Sequence, residues 1–548
     1  MEQLGQDLET MRRVPLADDH LAAICEIGEE KIYPAGSVVA DIGDRIDTFV
    51  YVLEGEIEVV DQYTDERLLE ASLGPTQFMG EIGFLNRGTH YLKMRAVVDT
   101  RVIEAPRGPM LDLMSRIPEL SDHIITVFSA RRRKQFELSN GSVKIIGADR
   151  DAKVQVVEQF LSRNRLPFSS YDMDAGDNET LEVCDISNHQ PSVILGKDTR
   201  LEDPTPRKVA QYLGLDLDIC SQRNFDLLIV GGGPAGVAAA VYAGSEGLDA
   251  LVIEDTAVGG QAGTSSRIEN YMGFPTGISG TDLTWRGQIQ AMKFGTRFVM
   301  PRRVESLTRR EDGSFCAQLD DDGDEICAKS ILVSTGVQYR RLPLERLEEL
   351  EGAGVFYSAT EMEARFCSNT EAVVIGGGNS AGQAAMYLSR AASHVHLVVR
   401  SDSLAASMSS YLTQRLEADP RVTIHYKTQV SELHGAEWLN GVTFTSPDGE
   451  RRIDTRALFI MIGAAPNTKW LSGLVETDDK GFVLTGADAG RESPFETGTD
   501  GIFAVGDVRS GSVKRVASAV GEGSVVVSRI WSYLDELKRQ KDRLPSQT

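Results

Sequence analysis

Three glycines and a carboxylate mark the first place where this chain could do chemistry. Gly231-x-Gly233-x-x-Gly236 follows the apolar run Leu227 to Val230, opens an Ala-rich stretch, and precedes a second apolar run that ends in Glu254. In this pattern the first glycine permits a tight turn, the second lets the backbone approach a diphosphate seated on a helix N-terminus, and the third lets helix and strand pack closely. A carboxylate about 20 residues on accepts from a ribose hydroxyl. A second copy runs from Ala372 through Gly376-x-Gly378-x-x-Ala381 to the strand Val395 to Val399. That strand ends in Arg400 instead of an acid. A carboxylate there would repel a 2′-phosphate, whereas Arg accommodates one, so NADPH is expected over NADH.

Each motif needs a buried parallel strand before it and a helix after it, which predicts two βαβ units. The chain has 548 residues, too many for one core, so several domains are expected. Its formal net charge of −24 argues against an electrostatic nucleic-acid or anionic-membrane surface. No apolar run is long enough to span a bilayer, and Met1 to Arg13 lacks a signal-type apolar stretch, so a cytoplasmic location is expected. The six cysteines, Cys25, Cys184, Cys220, Cys316, Cys327 and Cys367, are dispersed with no CxxC pair. Most are expected to be buried apolar thiols, with neither a zinc site nor a disulfide framework; no metal is predicted.

From Lys31, short β-rich runs alternate with turn signals at Pro34-Ala35-Gly36, Gly43-Asp44 and Glu54-Gly55, which predicts an antiparallel jelly-roll barrel over residues 1–135. Phe78-Met79-Gly80-Glu81-Ile82-Gly83-Phe84-Leu85 predicts a short helical turn with free N–H groups. The stretch resembles a cyclic-nucleotide-binding domain. The resemblance places Gly80 and Glu81 in its phosphate cassette, with Glu81 toward a ribose hydroxyl, and His90 where the family carries an Arg. A histidine is charged only near its ordinary pKa of about 6.5, so a cyclic nucleotide is one expected ligand and a docking module the other reading. Arg131-Arg132-Arg133-Lys134 is expected to be a solvated helix end or linker.

Residues 140–222 read as strand, helix, strand, then a strand introduced by Pro191 and a closing helix from Thr205 to Leu213. This order resembles a thioredoxin or glutaredoxin fold, with Pro191 at the cis-proline position. Ala148-Asp149-Arg150-Asp151 stands where that fold carries its thiol motif, so the domain is expected to be degenerate and structural.

Residues 223–535 resemble the thioredoxin reductases among FAD-dependent and NAD(P)H-dependent pyridine nucleotide-disulfide oxidoreductases. The carrying motifs are the first glycine loop, Gly259-Gly260-Gln261, Ile268 to Pro275 with Asn270, Ser334-Thr335-Gly336, and Gly501 to Asp507. The resemblance implies FAD bound by residues 223–340 and 463–535, NAD(P)H bound by 341–462, and a homodimer. It implies that Gly506 and Asp507 meet the flavin's ribityl and diphosphate portion, and that Arg515, Val516 and Ala517 pass near its ring. The expected fold class is therefore multidomain: a jelly-roll barrel, a thioredoxin-like α/β domain, and an α/β flavoprotein with two dinucleotide-binding domains.

One departure decides the chemistry. Thioredoxin reductases carry Cys-Ala-Thr-Cys where this chain has Ser358-Ala359-Thr360-Glu361, and neither end can form a disulfide. Hydride transfer from NADPH to flavin needs no side-chain acid or base, so no catalytic residue is assigned. The expected activity is NADPH-dependent flavin reduction with an acceptor left open: a ferredoxin or flavodoxin, a quinone, dioxygen, or a disulfide reduced by an unusual route. A non-enzymatic redox or nucleotide sensor is the alternative class. Cys367, the nearest thiol, reads as a small apolar residue under the nucleotide domain.

Overall fold

The computed structural model describes residues 15–61, 64–137, 143–147, 151–172, 191–195, 199–216 and 224–543, apart from positions 266, 267, 269, 321–324, 352, 358, 360, 406, 437 and 472. Ser358, Thr360, Cys184, Cys220, residues 148–150 and the residue preceding Pro191 lie outside the described residues.

The N-terminal strands form two antiparallel sheets. Glu29–Tyr33, Thr100–Pro106, Thr48–Glu54 and Phe78–Met79 lie side by side in one, and Val38–Ala40, Lys93–Ala96 and Ile57–Val60 in the other. Helix α1 (Pro118–Glu137) closes this unit by inserting Phe128 among Phe49, Phe78 and Phe84, with ring centroids 5.2 to 6.2 Å apart. Gly80 makes room for it. Its φ is +136°, and a Cβ there would lie 2.6 Å from the Phe128 ring.

The next unit is a four-stranded sheet in the order Thr199–Glu202, Ser192–Leu195, Val143–Gly147, Phe168–Asp172. The last two strands are parallel and the other neighbours antiparallel. Helix α2 (Ala152–Arg163), N-capped by the Asp151 side chain, buries Val154, Val157, Phe160 and Leu161 against the sheet.

The first glycine loop joins β1 (Asn224–Val230) to helix α3 (Pro234–Ser245), and β2 (Ala250–Ile253) delivers Glu254. β1 is buried at both faces, so it reads as a continuous apolar run and not as an alternating one. The parallel order is β3 (Arg297–Val299), β2, β1, β5 (Glu325–Val333), with β8 (Ile502–Ala504) beside the later half of β5. An antiparallel arm of Val304–Arg309 and β4 (Phe315–Leu319) pairs with the start of β5. That register sets Cys316 opposite Cys327, and the two form a disulfide with Cα atoms 4.1 Å apart. The expectation that the cysteines form no disulfide framework is therefore corrected at this pair. Ten intervening residues look like nothing in a cysteine count, but a hairpin folds them face to face.

The second glycine loop joins β6 (Glu371–Ile375) to helix α4 (Asn379–Leu388) and β7 (His394–Val398), within an all-parallel sheet of five strands. The chain passes between the two nucleotide domains twice, and the two passages pair as an antiparallel ribbon, Val337–Tyr339 with Ala464–Pro466. Helix α5 (Val516–Arg543) returns onto α3, where a Cβ at Gly523 would lie 2.2 Å from the Ala235 carbonyl oxygen. No helix among the described residues is long and apolar enough to cross a membrane.

Candidate functional site

Both glycine loops open into one cleft of about 2000 Å³. Of the residues singled out from the sequence, Gly231, Gly233, Glu254, Gly260, Gln261, Asn270, Thr335, Gly336, Gly506, Asp507, Arg515, Val516 and Ala517 line its first half. Gly376, Gly378 and Arg400 line its second half. Gly236 and Ala381 do not face it. They are buried packing positions: a Cβ on Gly236 would lie 2.0 Å from the Gly231 carbonyl oxygen, and the Ala381 methyl would meet any Cβ on Gly376 at 3.0 Å.

The local geometry suits a dinucleotide at each loop. Gly233 caps α3 and Gly378 caps α4 with no side-chain bond to the first turn, which leaves those N–H groups for a ligand. Nothing lies within 4 Å of where a Gly233 Cβ would be, so the space in front of the helix is open. The Glu254 carboxylate accepts from Gly232 N–H at 2.7 Å and Thr256 N–H at 3.2 Å. Burial pushes its pKa up and neighbouring Asp255 adds to this, while Gly232 N–H and Arg163 pull it back. Burial likewise raises Asp507, with Lys514 opposing. A buried acid and a half-buried one, both lining the cleft, suit a ligand rich in hydroxyls.

The remaining contacts fix the loops. Gln261 Nε2 donates to the Val337 carbonyl at 2.7 Å, and Thr335 Oγ1 to the Asn467 carbonyl at 2.9 Å, tying the first domain to both linkers. Gly506 N–H donates to Glu522 of α5 at 2.7 Å, which places the Asp507 turn against the start of α3. Arg400 is exposed at the cleft edge with Arg415 and Tyr411, residues that no contiguous motif marked.

Cys367 is fully buried in the core of the second nucleotide domain, and burial pushes its thiol up to about 12. It does not line the cleft. That agrees with its reading as a packing residue.

In the N-terminal unit the cassette is already engaged. Glu81 N-caps the turn Ile82–Phe84 by accepting from Gly83 N–H at 2.5 Å, and its other oxygen accepts from Arg132 Nε at 2.9 Å and from Nη2. Arg132 also donates to Tyr91 Oη at 3.1 Å and lies over that ring, while Arg131 donates to the Gly80 carbonyl at 3.1 Å. Arg132 is 4% exposed, so the basic run is not a solvated helix end as expected. A charge run is usually solvated, but here helix α1 carries it inward. His90 is buried too, and desolvation lowers its pKa below the ordinary value despite Glu81 and Asp44 nearby. The expectation of a histidine that charges near neutral pH is thus corrected: the cation beside Glu81 is Arg132.

The cassette loop also touches the rest of the chain. Asn86 donates to the Phe298 carbonyl at 3.0 Å and accepts from Phe298 N–H at 3.1 Å, a two-bond clamp on edge strand β3. Thr89 donates to the Tyr212 carbonyl at 3.2 Å.

Comparison with known proteins places these features. Residues 225–523 match the family described as pyridine nucleotide-disulphide oxidoreductase, and residues 30–117 match the cyclic nucleotide-binding domain. A thioredoxin reductase of Listeria monocytogenes is 33% identical over 320 residues, covering 58% of this chain and 96% of that protein. The NADPH-dependent thioredoxin reductase 3 of Arabidopsis thaliana is 33% identical over 318 residues; the match spans 56% of this chain and little more than half, 58%, of that relative. The crystal structure of Lactococcus lactis thioredoxin reductase superposes with a TM-score of 0.52 at 29% identity, covering 57% of this chain and 99% of that one. The chain belongs to the pyridine nucleotide-disulphide oxidoreductase family and is an NAD(P)H-dependent flavoprotein oxidoreductase.

Proposed function

We propose that this protein oxidises NADPH at an FAD held by the first half of the cleft and delivers the electrons to an acceptor without an internal dithiol. The observation that carries this is one cleft bearing both glycine loops, in a chain with Ser358 and Glu361 at the dithiol positions and its nearest thiol, Cys367, buried and outside the cleft. FAD and NADPH are the cofactors of the family, and bound together they supply hydride transfer from nicotinamide to flavin.

The residues' part is to bind, orient and exclude water. Gly231, Gly233 and the open first turn of α3 would take the FAD diphosphate, Glu254 a ribose hydroxyl, and the Gly506-Asp507 turn with the start of α5 the flavin portion. Gly376, Gly378 and the first turn of α4 would take the NADPH diphosphate, with Arg400 toward the 2′-phosphate. Gln261 and Thr335, bonded to the two linkers, would hold the domains in register. With no thiolate relay, the acceptor must take electrons at the flavin: a redox protein, a quinone, dioxygen or an external disulfide.

The strand order of residues 143–202, two parallel neighbours followed by two antiparallel ones, supports the thioredoxin-like reading of the middle unit, here without its thiols. The buried Arg132–Glu81 pair favours the reading of the N-terminal unit as a docking module over that of a cyclic-nucleotide receptor.

Anaerobic addition of NADPH to the purified protein tests the main reading. Rapid bleaching of a yellow protein, with thioredoxin a poor acceptor, is expected. A colourless protein, or one that NADPH leaves oxidised, would refute it.

A further inference from the structure

Three consecutive residues at the end of helix α2, outside the flavoprotein portion, pack against it beside the cleft. Asn164 Nδ2 donates to the Thr256 carbonyl at 3.2 Å, and Arg165 pairs with Asp282 at 2.5 Å while lying over the Trp285 ring. Arg163 is different. Its guanidinium donates to the Gly260 carbonyl at 3.3 Å and lines the cleft itself, between Glu254 and Gly260. A surface cation kept only for docking would have no reason to face a cavity, and the two neighbouring residues already supply the docking.

The electrostatics of that end call for a cation. Glu254 is a buried acid with Asp255 beside it, and a dinucleotide would add two diphosphate charges in front of the uncapped α3. Helix dipole and backbone N–H groups offset part of this; a planar guanidinium at the rim can make charge-assisted bonds to phosphate or ribose oxygens.

We propose that Arg163, supplied by the middle domain that lacks the thiol motif, is part of the FAD-binding site, so that flavin retention depends on a residue outside the flavoprotein domain. The proposal rests on the reading that this half of the cleft holds FAD. It assigns the middle domain a role that does not need the absent thiol motif: it completes a cofactor site instead of exchanging disulfides.

Titration of the full-length apoprotein with FAD, followed by flavin fluorescence, tests it. Arg163→Ala and Arg163→Gln should each weaken FAD binding about tenfold, and Arg163→Lys should recover most of the loss, because a charged hydrogen bond is at stake. The salt dependence of FAD affinity should be shallower in Arg163→Gln than in the native chain, which a merely structural role would not produce. Arg165→Ala removes a docking pair without touching the cleft and should leave the affinity within about twofold. Equal losses in Arg163→Gln and Arg165→Ala, or unchanged affinity in Arg163→Gln, would overturn the proposal. If the native chain itself binds no FAD, it is the reading of the cleft that fails, and the proposal falls with it.

Discussion

Arg132 and Glu81, 51 residues apart, form a buried ion pair at the place where a cyclic-nucleotide domain would meet a ribose. Both side chains are at most 10% exposed, and Tyr91 and Gly83 N–H satisfy further positions of the pair. Removing one partner of such a pair strands a buried charge, at a cost of about 3–5 kcal/mol. Arg132→Ala should therefore lower the urea midpoint of the N-terminal unit sharply. Arg132→Met together with Glu81→Leu should restore much of it. Calorimetry of the native chain with cyclic AMP should show no tight binding; submicromolar affinity would mean that the nucleotide displaces Arg132.

Acid should weaken the protein through its buried and half-buried histidines. Desolvation lowers His90 and His396, and burial with His396 and Arg451 nearby brings His425 down to about 4. A folded pKa below the unfolded value of about 6.5 means that the unfolded chain binds more protons, so stability is fully present above pH 6.5 and falls as pH drops toward 4. His396 sits between Glu371 and His425, with ring nitrogen contacts of 2.9 Å to each. Denaturant midpoints at pH 7.5, 5.5 and 4.5 should decline, and His425→Gln should flatten that decline. An unchanged slope in the variant would show that the cluster titrates normally.

Arg400→Glu should raise the NADPH KM at least tenfold while changing the NADH KM by less than threefold, since only one cofactor carries the 2′-phosphate. Steady-state dye reduction with both nucleotides measures this. Parallel changes would place the phosphate elsewhere, with Arg415 the first residue to test.

Thiol chemistry should separate the described cysteines. Exposed Cys25 should alkylate in native protein at pH 8, whereas Cys367, whose thiol lies near 12, should react only after unfolding, and Cys316 and Cys327 only after reduction. Cys367→Ser should leave dye reduction intact. Peptide mass spectrometry reads the first result and a diaphorase assay the second.

How far such residues were legible depended on whether their meaning was local. Gly231 to Gly236, Glu254, Gly376 to Ala381 and Arg400 sit within contiguous strand–loop–helix patterns, so spacing alone set their places relative to one another. Arg163 and Asn86 act across domains and Arg132 across 51 residues within one, and nothing in a run of neighbours says which carbonyl or carboxylate will meet them. Arg132 was further masked by its company, because a basic run ordinarily faces water. Cys316 and Cys327 needed the register of a hairpin, which the spacing of two cysteines does not carry.

The Asn86–Phe298 clamp gives one of these cross-domain contacts a practical meaning. β3 is the outermost strand on its side of the parallel sheet, and Asn86 satisfies both main-chain groups of its central residue. Asn86→Ala should cost about 1–3 kcal/mol, seen as a lower thermal midpoint. A shortened chain that begins near residue 224 would carry both glycine loops yet present a bare strand margin, an invitation to self-association. Light scattering of that shortened chain beside the full-length protein would then report on solubility, and through it on why the two halves have stayed joined.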